Sequence, residues 1–110
     1  MTDHSPLTPV VFEILLSMVS GEKHGYAILQ DVEHRTDGRV TLHAGTLYRA
    51  LSRLVEDELL VETRGPEIED DERRRYYRIT PAGAEVARLE ADRLERQVRA
   101  ARDVLDRATG

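Results

Sequence analysis

The sequence contains no cysteine and no tryptophan, and in 110 residues only one phenylalanine, four tyrosines and four prolines. Without cysteine there is neither a disulfide framework nor a thiolate metal site. So few aromatic rings leave little with which to stack a flat ligand. Long apolar runs are missing too. The longest, around Val10 to Val19, is interrupted by Glu13 and Ser17 and falls far short of a membrane span. The opening stretch from Met1 to Pro9 lacks a basic segment followed by an apolar one, so no export signal is expected. A soluble cytoplasmic protein with no membrane partner is the expectation. Positive charge is also in deficit. The formal net charge is −5, which argues against a protein that binds nucleic acid through charge alone.

Chemistry-bearing clusters are equally scarce. His4, His24, His34 and His43 have neither cysteine companions nor the spacing of a zinc helix, and the acidic run Glu67–Glu72 lacks a calcium loop's turn glycine. There is no glycine-rich phosphate loop and no serine–histidine–acid set. No metal, no cofactor and no enzymatic activity are expected.

The charge that is present is segregated. Gly38 to Val55 holds Arg39, Arg49 and Arg53 and no acid. Arg73, Arg74, Arg75 and Arg78 form a second basic group. The acids gather in Glu56–Glu58, in Glu67–Glu72 and in the C-terminal third. An acidic chain can therefore still present a basic face.

Periodicity and caps predict four helices. The first runs from Pro9 to about Ser20, with Thr8 as N-cap, proline at the first helical position, and Leu7 and Phe12 at the spacing of a hydrophobic staple. Gly21 is expected to stop it. The second runs from Gly25 to Thr36, with Gly38 as a left-handed stop. The third runs from Ala44 to Glu58, with Leu47, Leu51, Leu54 and Val55 on one face and Thr46, Arg49, Ala50 and Arg53 mainly on others. Two alternating runs, Leu60–Arg64 and Tyr76–Thr80, predict a β-hairpin with a long tip. Thr80-Pro81 repeats the capping signature and opens a last helix of roughly 40 Å, reaching about Arg107. Along it Ala87, Ala91, Leu94, Val98, Ala101 and Leu105 recur at 4-3-4-3-4, a narrow heptad seam.

The expected fold class is therefore mostly α with a small β-hairpin (α+β): a winged helix-turn-helix followed by a long C-terminal dimerisation helix. Residues 1–80 would form the winged unit and residues 81–110 the helix. In such a domain the third helix enters the major groove and the hairpin touches the flanking backbone. Winged helices also serve as protein-interaction adaptors that bind no DNA, and the acidic net charge keeps that alternative open.

Three blocks carry a resemblance: His24-Gly25-Tyr26-Ala27-Ile28, Gly45-Thr46-Leu47-Tyr48-Arg49-Ala50-Leu51-Ser52-Arg53-Leu54, and Arg74-Arg75-Tyr76-Tyr77-Arg78-Ile79-Thr80-Pro81-Ala82-Gly83. Their order and spacing resemble the PadR family of transcriptional regulators, in its smaller subgroup with one C-terminal helix. The resemblance implies a homodimer on a roughly palindromic operator, usually repressing, with a small-molecule or stress signal that weakens binding. Where relatives commonly have Ser-Pro before the glycine of the third helix, this chain has His43-Ala44. Some relatives hold flat drugs between tryptophans, which this chain lacks.

The candidate DNA-contacting residues are Tyr26, Gly45, Thr46, Tyr48, Arg49, Arg53, Arg74 and Arg75. Tyr26 is either a phosphate donor or a half-buried core ring. Gly45 and Thr46 either admit DNA to the helix N-terminus or merely begin a helix. Tyr48 can pack under the hairpin with its hydroxyl free to reach phosphate. Arg49 and Arg53 are base or phosphate ligands, or solvated cations. Arg74 and Arg75 either track the DNA backbone or are neutralised by the neighbouring acids Glu69 to Glu72. A cavity between Phe12 and the last helix is the candidate place for an effector.

Overall fold

The computed structural model describes residues 6–64 and 75–109. Helix α1 spans Pro9–Ser17, strand β1 Lys23–His24, α2 Gly25–Arg35, α3 Ala44–Glu56, β2 Leu60–Thr63, β3 Tyr76–Ile79 and α4 Pro81–Thr109. The winged helix-turn-helix order is as expected, with one addition. Lys23 and His24 pair antiparallel with Tyr77 and Tyr76, so the hairpin becomes a three-stranded sheet in the order β1-β3-β2. Two residues are too few to carry an alternating pattern, and this strand exists only through its partner.

Local chemistry explains the boundaries. Thr8 accepts from Val11 N at 3.2 Å and caps α1. The helix ends at Ser17 rather than Ser20. The next turn tightens, with Val19 N donating to Leu16 O and Gly21 N to Met18 O. Lys23 Nζ then reaches back to Ser17 O at 2.6 Å, placing a cation on the negative end of the helix. Helix α2 closes in a Schellman turn: Gly38 N donates to Glu33 O and Asp37 N to His34 O. Its first left-handed residue is Asp37, at φ 52°, with Gly38 following at 76°. Helix α3 ends in the same way. Leu59 N donates to Leu54 O, Glu58 N to Val55 O, and Glu58 takes φ 63°.

Ile14, Leu15 and Met18 of the first segment, Ile28 and Val32 of α2, Leu47, Leu51 and Leu54 of α3, and Leu60, Tyr77 and Ala87 form one core. Its edge is pinned by Arg35 of α2, whose guanidinium meets Glu13 of α1 at 3.1 Å and its neighbour Asp31 at 3.5 Å. Helix α4 is fastened to the end of α3. Thr80 Oγ1 donates to Glu58 O at 2.7 Å and accepts from Gly83 N, while Thr80 N donates to Leu59 O. Gly83 lies so close that a Cβ there would overlap the carbonyl oxygen of Leu59.

Ala87 was expected in the dimer seam, but it is buried in its own chain's core because the first turns of α4 lie against α1 and β3. Of the residues expected in that seam, Ala91, Leu94, Val98, Ala101 and Leu105 lie outside the core. Glu90 is buried as well and takes both a 3.0 Å and a 2.6 Å bond from Arg93. No helix among the described residues is long and apolar enough to cross a membrane.

Candidate nucleic-acid interface

Helix α3 is divided sharply by its own sequence. Leu47, Leu51 and Leu54 are buried, whereas Gly45, Thr46, Tyr48, Arg49, Ser52 and Arg53 are exposed. The exposed side forms a shallow open depression lined by Gly45, Tyr48, Arg49, Ser52, Arg53 and Glu56. At its head His43 occupies the N-cap position without making a side-chain cap bond. The N–H groups of the first turn are thus left to an outside acceptor. Arg49 Nη2 donates to Thr46 Oγ1 at 3.4 Å, which draws the guanidinium back along the first turn. A methyl added at Gly45 would meet nothing closer than Arg49 Nη1, at 3.9 Å. Nothing among the described residues requires glycine there.

Gly25 is different. A Cβ on it would stand 2.5 Å from the Tyr48 hydroxyl oxygen, so the Tyr48 ring lies across the first turn of α2. A Cβ there would displace the outer end of the Tyr48 side chain. Tyr48 stays 42 % exposed, and it is near enough to Tyr77 on β3 to act on that phenol electrostatically. Tyr26, one residue into α2, is 63 % exposed, so it stands outside the core. His24 joins these elements. Its Nδ1 accepts from Ala27 N at 3.1 Å and so caps α2. Its ring meets Tyr76 edge-on at 5.4 Å. The cap requires Nδ1 to be unprotonated. Sequence reasoning weighed His24 only as a metal ligand; the signal missed was a polar side chain three residues before a free amide.

The hairpin adds cations and acids together. Arg75 Nε lies 3.4 Å from Glu62 Oε1 across the β2–β3 ladder, where Glu62 is opposite Tyr77. Thr63 donates to Glu22 at 2.9 Å. Burial raises the Tyr77 phenol above its ordinary pKa of 10, Glu62 adds to the rise, and Arg75 acts in the opposite direction. On α3, Arg53 Nε meets Asp57 Oδ2 at 3.4 Å. Arg73, Arg74 and the acids from Glu67 to Glu72 lie outside the described residues. The structure therefore brings Tyr26, Gly45, Thr46, Tyr48, Arg49 and Arg53 onto neighbouring exposed surfaces of α2 and α3, with Arg75 on the hairpin. The acids that engage Arg53 and Arg75 are Asp57 and Glu62. Among the described residues no group of three or more histidines and carboxylates is arranged to hold a metal ion.

Comparison with known proteins agrees with this layout. A transcriptional regulator from Clostridium thermocellum superposes with a TM-score of 0.72 at 29 % identity, covering 86 % of this chain and 87 % of that one. A PadR family transcription regulator from hypervirulent Clostridium difficile gives 0.68 at 22 % identity, covering 94 % and 100 %. An uncharacterised protein X of Lysinibacillus sphaericus is 33 % identical over 70 residues, 64 % of this chain and 63 % of that one. The chain spans less than two thirds of the length of the curated relatives it matches. The profile of the transcriptional regulator PadR-like family matches residues 14–89, from the middle of α1 through the sheet and into α4. By that match, which takes in both α3 and the hairpin, the chain belongs to the PadR-like family of transcriptional regulators.

Proposed function

We propose that the protein is a homodimeric, sequence-specific DNA-binding repressor that reads a palindromic operator in the cytoplasm. The observation that carries this reading is Gly45. It leaves the uncapped start of α3 open, although among the described residues only the end of Arg49 comes within 4 Å of where a Cβ would stand. An N-terminus of this kind receives a phosphate, and the exposed Thr46, Arg49 and Arg53 then face the groove. Tyr26 and Tyr48 supply hydroxyls to the DNA backbone, and Arg74 and Arg75 supply the hairpin's charge.

In this reading residues 1–80 are the DNA-binding unit and residues 81–110 the dimerisation helix, whose first turns also complete the unit's core. Dimerisation uses Ala91, Leu94, Val98, Ala101 and Leu105; the last three turns are exposed along their length, with Val98, Val104 and Leu105 each more than half exposed. Ala87 contributes by anchoring the helix. Two copies place two α3 helices about one DNA turn apart. The apolar groove formed by Phe12, Ala91, Leu94 and Val98, with Glu95, Arg99 and Arg102 at its rim, is the place where a small effector would act on the dimer.

Fluorescence anisotropy with DNA from upstream of the protein's own gene tests the reading. A specific complex of two chains per site is expected, lost on Arg49→Ala or Arg53→Ala with a shallower salt slope. Binding no tighter than to unrelated DNA at low salt would refute it and favour a protein-interaction adaptor. Sedimentation showing only monomer, or a Val98→Glu variant that still dimerises, would refute the assignment of the seam.

A further inference from the structure

The apolar groove between Phe12 and α4 carries charges of both signs on its rim. Val98 lies between them and is exposed. Glu95 stands three residues before Val98 and Arg102 four residues after it, about two turns apart on the same side of the helix. Neither is held firmly within its own chain. Arg102 makes no ion pair with any of the described residues. Glu95 meets Arg99 at 3.3 Å, but the two side chains are 65 % and 74 % exposed, and such a contact is weak in water. Past the groove, Leu105 continues the seam and is exposed as well.

We infer that the occupant of this groove is the α4 helix of a second copy running in the opposite direction, and that Glu95 and Arg102 fix that direction by facing each other across the interface. The inference rests on the dimer reading above. In a two-fold dimer every contact from one residue to another is made twice, once from each side. Two helices crossing antiparallel at the level of Val98 set each residue opposite the one equally far beyond the crossing. Glu95 then faces the partner's Arg102, and Arg102 faces the partner's Glu95. Leu105 comes to the level of the partner's Ala91 and the partner's Leu94, so the exposed end of the seam is covered. A parallel pair sets each residue beside its own copy instead. Glu95 would lie beside the partner's Glu95, and Arg102 beside the partner's Arg102. Charges flanking a helical seam choose partner and orientation in this way, and like charges brought together count against the wrong arrangement. The opposed helix dipoles favour the same direction. A small effector acting at the groove works against this contact.

Sedimentation equilibrium on the full chain at low salt tests the pairing. Glu95→Arg and Arg102→Glu each turn two attractions into two repulsions. Each is expected to weaken dimerisation about 5- to 30-fold, the range that exposed pairs command when reversed at two places. The double variant Glu95→Arg/Arg102→Glu keeps the wild-type net charge and restores both pairs, so it should regain most of that loss. Arg102→Glu combined with Asp103→Arg also keeps the net charge, but Asp103 does not line the groove, and this variant should stay as weak as Arg102→Glu alone. Because the chain has no cysteine, Leu105→Cys reports orientation directly. In the antiparallel pair the two thiols stand roughly 20 Å apart along the helices, too far for a disulfide, so no covalent dimer should form on oxidation. A double variant as weak as the single ones, or a covalent Leu105→Cys dimer, overturns the inference while the dimer itself stands. A wild type that is only monomeric is a separate result, read before any variant is made, and removes the dimer reading together with this one.

Discussion

Replacing Gly45 by alanine separates folding from DNA binding. Within the fold the new methyl has room, since its nearest neighbour is the mobile end of Arg49 at 3.9 Å. Alanine is also the better helix former, by at most about 1 kcal/mol this close to a helix end. The melting temperature of Gly45→Ala should therefore hold or rise, by up to about 4–8 °C for a domain near this size. Operator binding should move the other way. A methyl in front of the first turn keeps a phosphate from the amides that His43 leaves uncapped. A hydrogen bond to a charged group is worth about 1.5–3 kcal/mol, so loss of one weakens each bound copy roughly 10- to 100-fold. Calorimetry and anisotropy on the same preparation give both quantities. A drop in melting temperature would show that the fold itself needs this glycine. Unchanged operator affinity would show that DNA never approaches the start of α3.

Gly83→Ala should do the opposite, because its methyl overlaps the backbone carbonyl of Leu59, which cannot rotate away; a loss of about 3 kcal/mol or more is expected in urea unfolding. Glu58→Gly should stabilise by about 1 kcal/mol, as the left-handed φ of 63° costs a side-chain-bearing residue roughly 1–2 kcal/mol and glycine's extra freedom when unfolded returns part of that. Tyr77 sets an alkaline limit. Its phenol pKa is raised by burial, so the stability held by the neutral ring is full below pH 10 and is lost as pH rises through the folded-state value. The urea midpoint should fall as pH rises above 10 and fall less steeply in Tyr77→Phe, with ionisation followed at 295 nm.

What could be read from the sequence follows the range of the forces involved. Thr8-Pro9 and Thr80-Pro81 mark helix starts through contacts with residues a few positions away, and both starts are found where expected. Leu47, Leu51 and Leu54 fix which side of α3 is buried, because burial follows helical period. Features that depend on distant residues were not legible. Lys23–His24 becomes a strand only when Tyr76 and Tyr77 arrive more than fifty residues later. Ala87 reads as seam by spacing, yet the core claims it, since small residues fit either surface. Arg75 stands beside a run of acids in sequence, while its described partner, Glu62, comes from the other strand. The His24 cap was missed because histidine is an uncommon residue in that role, whereas the left-handed stop at Gly38 is found where expected, with Asp37 before it also left-handed.

The fastening of α4 to α3 has a mechanical consequence. Thr80 grips the Glu58 carbonyl at 2.7 Å, and Gly83 lies flush against Leu59, so the junction has little slack. Beyond the buried Glu90, the rest of α4 to Thr109 acts as an oar about 28 Å long. Swinging that oar by five degrees carries its free end about 2.5 Å at that length. In the proposed dimer, a shift of that size where two such helices cross would turn each α3 by the same few degrees. Small adjustments far from α3 would thereby be geared to the angle between the two α3 helices.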